Sequence, residues 1–199
     1  YTEGYHLIAK NVIFFDRRRF ELVSSGCYWL SETPHIGGSM SWGTARARHC
    51  TWVRLRERRS GRELRVLDVH LDHISDEAKL AQIGMVIEES AQYPVSMPQI
   101  MCGDMNSVRQ SPPMQALRAS AWSDVFETLN GRIEAGYTAH AWKGESRPMK
   151  PGKGRIDYIF VTGGVEAADF NIHKDCKDGM YASDHFFISA DLGLKCNER

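Results

Sequence analysis

The sequence contains no long apolar run, and this absence removes one class of protein. No stretch of its 199 residues approaches the roughly 18 consecutive apolar residues that suggest a membrane-spanning helix. No signal peptide precedes the first apolar run at residues 11–15. We therefore expect no membrane span, and a reducing, cytoplasmic location.

Net charge and short cysteine spacings are absent as well. The 25 Lys and Arg residues balance 25 Asp and Glu residues, so no global field attracts nucleic acid, although a local basic patch still would. The five cysteines form no CxxC pair and no short Cys/His spacing, which argues against structural zinc. A composition of 42% hydrophobic and 25% charged residues is typical of a globular domain.

Short apolar and alternating runs predict a protein in which strands outnumber helices. Arg59, Ser60 and Gly61 separate two alternating runs and predict a hairpin. Ser75 is a candidate N-cap for a helix that reaches about Ala91, and a second helix is expected over residues 113–121. These elements predict one mixed α/β domain of packed sheets. Strands are expected over residues 11–15, 20–30, 50–55, 64–69, 98–102, 155–161, 165–172 and 185–192.

Polar and ionisable residues stand at the ends of several of these apolar strands. They occur in the segments VHLDH (69–73), GDMN (103–106), RIDYIF (155–160) and SDH (183–185). Strand ends are positions where a scaffold can gather residues that are distant in the chain. The four segments are therefore candidates for a single site.

Individual residues in these segments admit a structural and a functional interpretation. Asp157 interrupts an apolar strand and needs a cation or a hydrogen-bond donor, so it is either a buried ion pair or a site residue oriented toward His185. Gly103 permits a tight turn before Asp104, where either a plain Asx turn or a projecting site carboxylate fits. His70 acts alone or forms a metal-binding pair with His73.

The four segments, in this order, resemble the successive motifs of the endonuclease/exonuclease/phosphatase superfamily. The resemblance extends from about residue 11 to residue 192 and implies a four-layer α/β/β/α sandwich of two packed mixed sheets. It also implies hydrolysis of a phosphodiester or phosphomonoester by an activated water. The cofactor implied is Mg²⁺ or Mn²⁺, since oxygen ligands suit these ions better than zinc.

Roles follow from the resemblance for the residues in the motifs. Asp104 orients or deprotonates the attacking water, and Asn106 helps to hold that water and the phosphoryl oxygens. His185 contacts the phosphate and is oriented by Asp157, while His70 stabilises charge on the phosphate. The metal ligands implied are Asp184 and Asp104.

The sequence departs from the family pattern at its start. The usual first strand, helix and second strand, which carry an Asn-rich motif and a Gln-Glu pair, have no counterpart in these residues. An alternative function is therefore a catalytically impaired remnant that binds a phosphate ligand or a protein. Nucleic acid is a further candidate substrate, through a basic loop at residues 143–155. The oligomeric state is not determined by the sequence.

Overall fold

A six-stranded sheet forms the centre of the structure. The computed structural model describes residues 11–148 and 153–195. The strand order across the sheet is β1-β2-β3-β4-β6-β5, with β3 and β4 parallel and all other neighbours antiparallel. The bounds are β1 (Phe20–Trp29), β2 (His49–Glu57), β3 (Glu63–His70), β4 (Gln99–Asp104), β5 (Ser123–Asp124) and β6 (Asp157–Val161).

A second sheet of two antiparallel strands, β7 (Val165–His173) and β8 (Phe187–Leu194), packs against one face of the large sheet. Side chains alternate between half-buried and exposed along β8, as expected for a strand with one covered face. The core between the sheets contains Ile159 and Val161 from the large sheet and Val165 and Phe170 from the small one. This packing confirms the predicted α/β sandwich.

Two helices cover the other face of the large sheet, and a third, short helix packs beside the first strand of the small sheet. The helices are α1 (Asp76–Ser90), α2 (Pro112–Arg118) and α3 (Val125–Asn130), and none in the described part of the chain is long and apolar enough to cross a membrane. The predicted N-cap of α1 is present, because the Ser75 hydroxyl accepts a hydrogen bond from the Ala78 N–H at 3.1 Å. Along α1, Ile83 is buried, whereas Leu80 is 43% exposed.

The segment 11–15 differs from the prediction of a strand. It joins no ladder within the described residues, yet it is extended enough for Ile13 and Phe15 to pack on the large sheet while Phe14 is 90% exposed. The Asn11 amide holds it in place by donating hydrogen bonds to the backbone oxygens of His49 and Asp68, at 2.8 and 3.1 Å. The short apolar run therefore identified a packed extended segment, but not a paired strand.

Candidate active site

Three neighbouring strands bring the predicted site residues to one end of the large sheet. In the parallel pair β3 and β4, His70 lies opposite Asp104. In the antiparallel pair β4 and β6, Asp104 lies opposite Asp157. Because β3 and β4 end where β6 begins, all three side chains come from one row of the sheet.

Gly103 makes the close approach of β3 and β4 possible. It lies within β4 rather than in the predicted tight turn, and its φ is +143°. A Cβ atom at this position would lie 1.8 Å from the Val69 carbonyl oxygen. Only glycine fits a backbone contact of this kind, one residue before Asp104.

His185 joins this row from a distant part of the chain. Its Nδ1 lies 2.8 Å from Asp157 Oδ2. This hydrogen bond and the charges of nearby carboxylates outweigh the opposing effect of burial and raise the pKa of His185 above its usual range. Ala139 pairs with His185 in an isolated β-bridge. The hydroxyl of the buried Thr138 accepts hydrogen bonds from the N–H groups of Ile156 and Asp157, at 3.2 and 3.3 Å. One short segment therefore fixes both members of the His185–Asp157 pair.

Asp104 is a largely buried carboxylate at the end of β4. Burial, reinforced by repulsion from Asp157, raises the pKa of Asp104 to about 6. Its Oδ1 accepts a hydrogen bond from the Asn106 backbone N–H at 2.7 Å, and Asn106 adopts a positive φ of 46°. The Asn106 side-chain amide donates to the Leu71 carbonyl oxygen at 3.0 Å, which ties the end of β4 to the end of β3.

His70 is uncharged at neutral pH. Burial, and then the Arg48 guanidinium, lowers the pKa of His70 to about 4. Its Nε2 lies 3.4 Å from Asp104 Oδ2, so this contact joins a neutral imidazole to a carboxylate and is not an ion pair. The charge in this part of the site comes from Arg48, which is 3% exposed and lies immediately before β2.

The buried guanidinium of Arg48 is only partly satisfied. One of its terminal nitrogens lies 3.2 Å from His73 Nδ1, and its other two nitrogens have no hydrogen-bond partner within the described residues. Its charge acts on Asp104 and His70, which places it beside the row. His73 thus contacts an arginine, and the group of candidate metal ligands does not include a His70–His73 pair.

Asp72, between the two histidines, has a structural role. Its buried carboxylate accepts hydrogen bonds from the backbone N–H groups of Ala45, Ile74 and Ser75, at 2.9, 2.9 and 2.8 Å. Burial alone would raise its pKa, but these bonds together outweigh burial and lower the pKa of Asp72 to about 2. The carboxylate fixes the chain between β3 and α1.

Three side chains of the row offer atoms to a cation. Asp104, Asp157 and His185 each present a candidate ligand atom, and these atoms lie within 4.8 Å of one another. Asp184 is exposed and is not a member of this group, although its backbone oxygen accepts hydrogen bonds from the N–H groups of His140 and Ala141. Its assignment as a metal ligand stays a prediction.

The predicted basic loop is less basic toward solvent than its sequence indicates. Arg155 is 3% exposed and forms an ion pair with Asp124 at 2.5 Å, so its charge is used within the core. Lys143 and Lys153 are exposed, and Lys150 lies outside the described residues. This loop therefore offers fewer free cations to a polyanion than the prediction assumed.

Two residues of the site received no catalytic role from the sequence. Neither Arg48 nor Thr138 lies in one of the four segments that the sequence singles out. The antiparallel pairing of β2 and β3 points to Arg48, because the start of β2 must lie beside the end of β3, where His70 stands. Thr138 lies outside any strand and carries no comparable signal.

Solved structures of the same fold are known. The endonuclease/exonuclease/phosphatase protein of Bacteroides vulgatus is 24% identical, with a TM-score of 0.79 over 91% of this chain and 69% of that one. The mannosyl-6-phosphatase Bt3783 of Bacteroides thetaiotaomicron is also 24% identical, with a TM-score of 0.77 over 90% and 69%. D. rerio TDP2 complexed with a single-strand DNA product is 20% identical, with a TM-score of 0.69 over 89% and 70%.

Sequence comparison gives the family directly. No curated protein sequence matches this chain significantly. The sequence pattern of the endonuclease/exonuclease/phosphatase family matches residues 12–185, a range that includes every residue of the row described above. This chain belongs to the endonuclease/exonuclease/phosphatase family.

Proposed function

We propose that this chain hydrolyses a phosphate ester with the help of a divalent cation, using a water molecule activated at Asp104. The observation that carries the proposal is the row of His70, Asp104 and Asp157 on adjacent strands, completed by His185 on Asp157. Phosphate ester hydrolysis needs an oriented water and groups that neutralise charge on the phosphoryl oxygens. This row supplies both kinds of group.

Asp104 is suited to the role of general base. Its pKa of about 6 is below neutral pH but close to it, which combines an ionised carboxylate with useful basicity. One carboxylate oxygen is fixed by the Asn106 N–H, so the other is the oxygen that accepts a proton from water. Asn106 holds the geometry, because its side-chain amide also joins the two strand ends.

His185 is suited to contact the phosphate. Its Nδ1 is bonded to Asp157, which leaves Nε2 for a phosphoryl or leaving-group oxygen. The bond to Asp157 stabilises the imidazolium, so His185 can donate a proton to the leaving oxygen as the ester bond breaks. Arg48 and the neutral His70 stabilise charge on the remaining oxygens, Arg48 with its permanent positive charge and His70 as a hydrogen-bonding group.

The residues present fit a divalent cation. Two carboxylates form an oxygen donor set, which suits Mg²⁺ or Mn²⁺, while His185 keeps its nitrogens for Asp157 and the phosphate. The two buried carboxylates also repel each other, which a cation between them would relieve. Asp104 and Asp157 are the residues that would hold it, with Asp184 as a further candidate. When bound, such an ion supplies charge stabilisation at the phosphoryl oxygens.

The test is hydrolysis of bis-p-nitrophenyl phosphate and p-nitrophenyl phosphate with Mg²⁺ or Mn²⁺ and with a chelator. We expect metal-dependent release of nitrophenol, reduced about 100-fold or more by Asp104→Ala and by His185→Ala. The exposed Asp191, in the small sheet, provides the matched control Asp191→Asn. Activity that neither substitution lowers would refute the assignment. Binding of inorganic phosphate without any turnover would instead support the alternative of a phosphate-binding module.

A further inference from the structure

A pocket of about 450 Å³ opens beside the catalytic row. Asn106 and Ile156 line it, and they are neighbours in sequence of Asp104 and Asp157. Ala139, the bridge partner of His185, lines it as well. An ester whose phosphorus lies at the row therefore has this pocket for the rest of the molecule. Pockets of roughly 300–1,000 Å³ are typical for small-molecule ligands.

Positive charge dominates the pocket wall. The charged residues that line it, apart from the titratable His73, are Asp76, Lys79, Arg147 and Lys153. Asp76 and Lys79 neutralise each other in an ion pair of 2.6 Å. Arg147 and Lys153 form no ion pair with an acidic side chain of the described residues, so two positive charges remain available to a ligand.

A hydrogen bond anchors Arg147 to the segment that pairs with His185. One of its terminal nitrogens donates a hydrogen bond to the Ala139 carbonyl oxygen, and Ala139 is paired with His185. A guanidinium has five N–H donors, so this bond leaves others for a ligand. Arg147 is therefore fixed on the segment that also positions the phosphate-contacting His185.

Two serine hydroxyls in the same wall are unsatisfied. Ser107 and Ser111 line the pocket, and their hydroxyl oxygens are buried without a hydrogen-bond partner within the described residues. Ser107 is 4% exposed. A buried hydroxyl without a partner costs free energy, so a polar occupant of the pocket is favoured over an apolar one.

We infer that the substrate is a small, polar phosphate ester that carries a second anionic group, a carboxylate or another phosphate, bound by Arg147 and Lys153. This inference rests on the proposed function. A polynucleotide is less favoured, because tight binding of such a chain takes several phosphate contacts and the described wall offers only two free cations. The pocket is large enough for a phosphorylated sugar acid or a sugar bisphosphate.

The test compares two phosphate esters that differ only in the second anion. Sorbitol 6-phosphate and 6-phosphogluconate have the same six-carbon chain, but the second carries a carboxylate in place of a terminal alcohol. We expect kcat/KM for phosphate release to be about tenfold or more higher for 6-phosphogluconate, the effect of one charge-assisted contact. The ratio of the two values should fall toward one in Arg147→Gln and in Lys153→Gln.

The control and the binding measurement separate this inference from the proposed function. Lys143→Gln removes an exposed lysine that does not line the pocket, and it should keep the ratio of the wild type. Calorimetric binding of both compounds to Asp104→Ala reports the same preference without turnover. Equal kcat/KM or equal affinity for the two compounds would overturn the inference while hydrolysis itself stands.

Two further outcomes are decisive. No hydrolysis of any ester, together with a binding preference that Lys153→Gln abolishes, would refute the proposed function and leave the anion site supported. Faster, salt-sensitive cleavage of single-stranded DNA than of either sugar phosphate would overturn the inference in favour of a polynucleotide substrate.

Discussion

The hydrogen bond between His185 and Asp157 gives the sharpest test of the site. Asp157→Asn keeps the size and shape of the side chain but removes its charge. An amide does not stabilise the imidazolium, so the pKa of His185 should fall below its value in the wild type. His185 would then be less able to donate a proton to the leaving oxygen at neutral pH.

The structure sets the size of this effect. The side chains of His185 and Asp157 are 25% and 17% exposed, so solvent screens only part of their 2.8 Å interaction. Hydrogen bonds to charged groups contribute about 1.5–3 kcal/mol. At about 1.4 kcal/mol per factor of ten, loss of this bond in the transition state lowers the rate about 10- to 150-fold.

Two measurements check the prediction. A histidine NMR titration without metal follows the midpoint of His185, and hydrolysis of bis-p-nitrophenyl phosphate follows the rate. Asp191→Asn, the same chemical change on an exposed position of β8, should alter neither. The reasoning is refuted by an Asp157→Asn variant in which the midpoint of His185 stays where it was and the rate is unchanged.

Three predictions concern stability, measured as the free energy of unfolding in urea. Gly103→Ala should lower the free energy of unfolding by about 3 kcal/mol or more, because the added Cβ meets the backbone of β3. Gly193→Ala, where the added Cβ enters open space, should lower it by less than about 1 kcal/mol. Similar values for the two variants would contradict the close approach of β3 and β4. Asp124→Ala leaves a buried arginine unpaired and should cost about 3–5 kcal/mol, against about 0–1 for Glu145→Ala in an exposed ion pair. Asp72→Asn should lower the free energy of unfolding by about 2 kcal/mol at pH 7, because the pKa of Asp72 is lower in the folded protein, at about 2, than in the unfolded chain, and the charged carboxylate therefore stabilises the folded state above the unfolded pKa. This loss should shrink as the pH falls through about 2. A cost for Asp72→Asn that does not change with pH would rule out the carboxylate charge as its source.

The sequence by itself indicated which segments are candidates for the site. An aspartate inside the apolar run IDYIF needs a partner, and polar residues after VLDV and MC mark the ends of buried strands. Local patterns of this kind also located the hairpin at Arg59–Gly61, the N-cap Ser75 and most strand positions, because capping and alternation depend on neighbouring residues. They did not distinguish a paired strand from the packed segment 11–15.

Tertiary structure decided which of these residues meet. Asp157 and His185 are 28 residues apart in sequence, and their contact depends on the register of β4 with β6 and on the bridge at Ala139. Long-range packing also brought Arg48 beside His70 and used the charge of Arg155 in a buried ion pair. Strand order and register minimise the free energy of the whole fold, and local sequence preference does not contain that information.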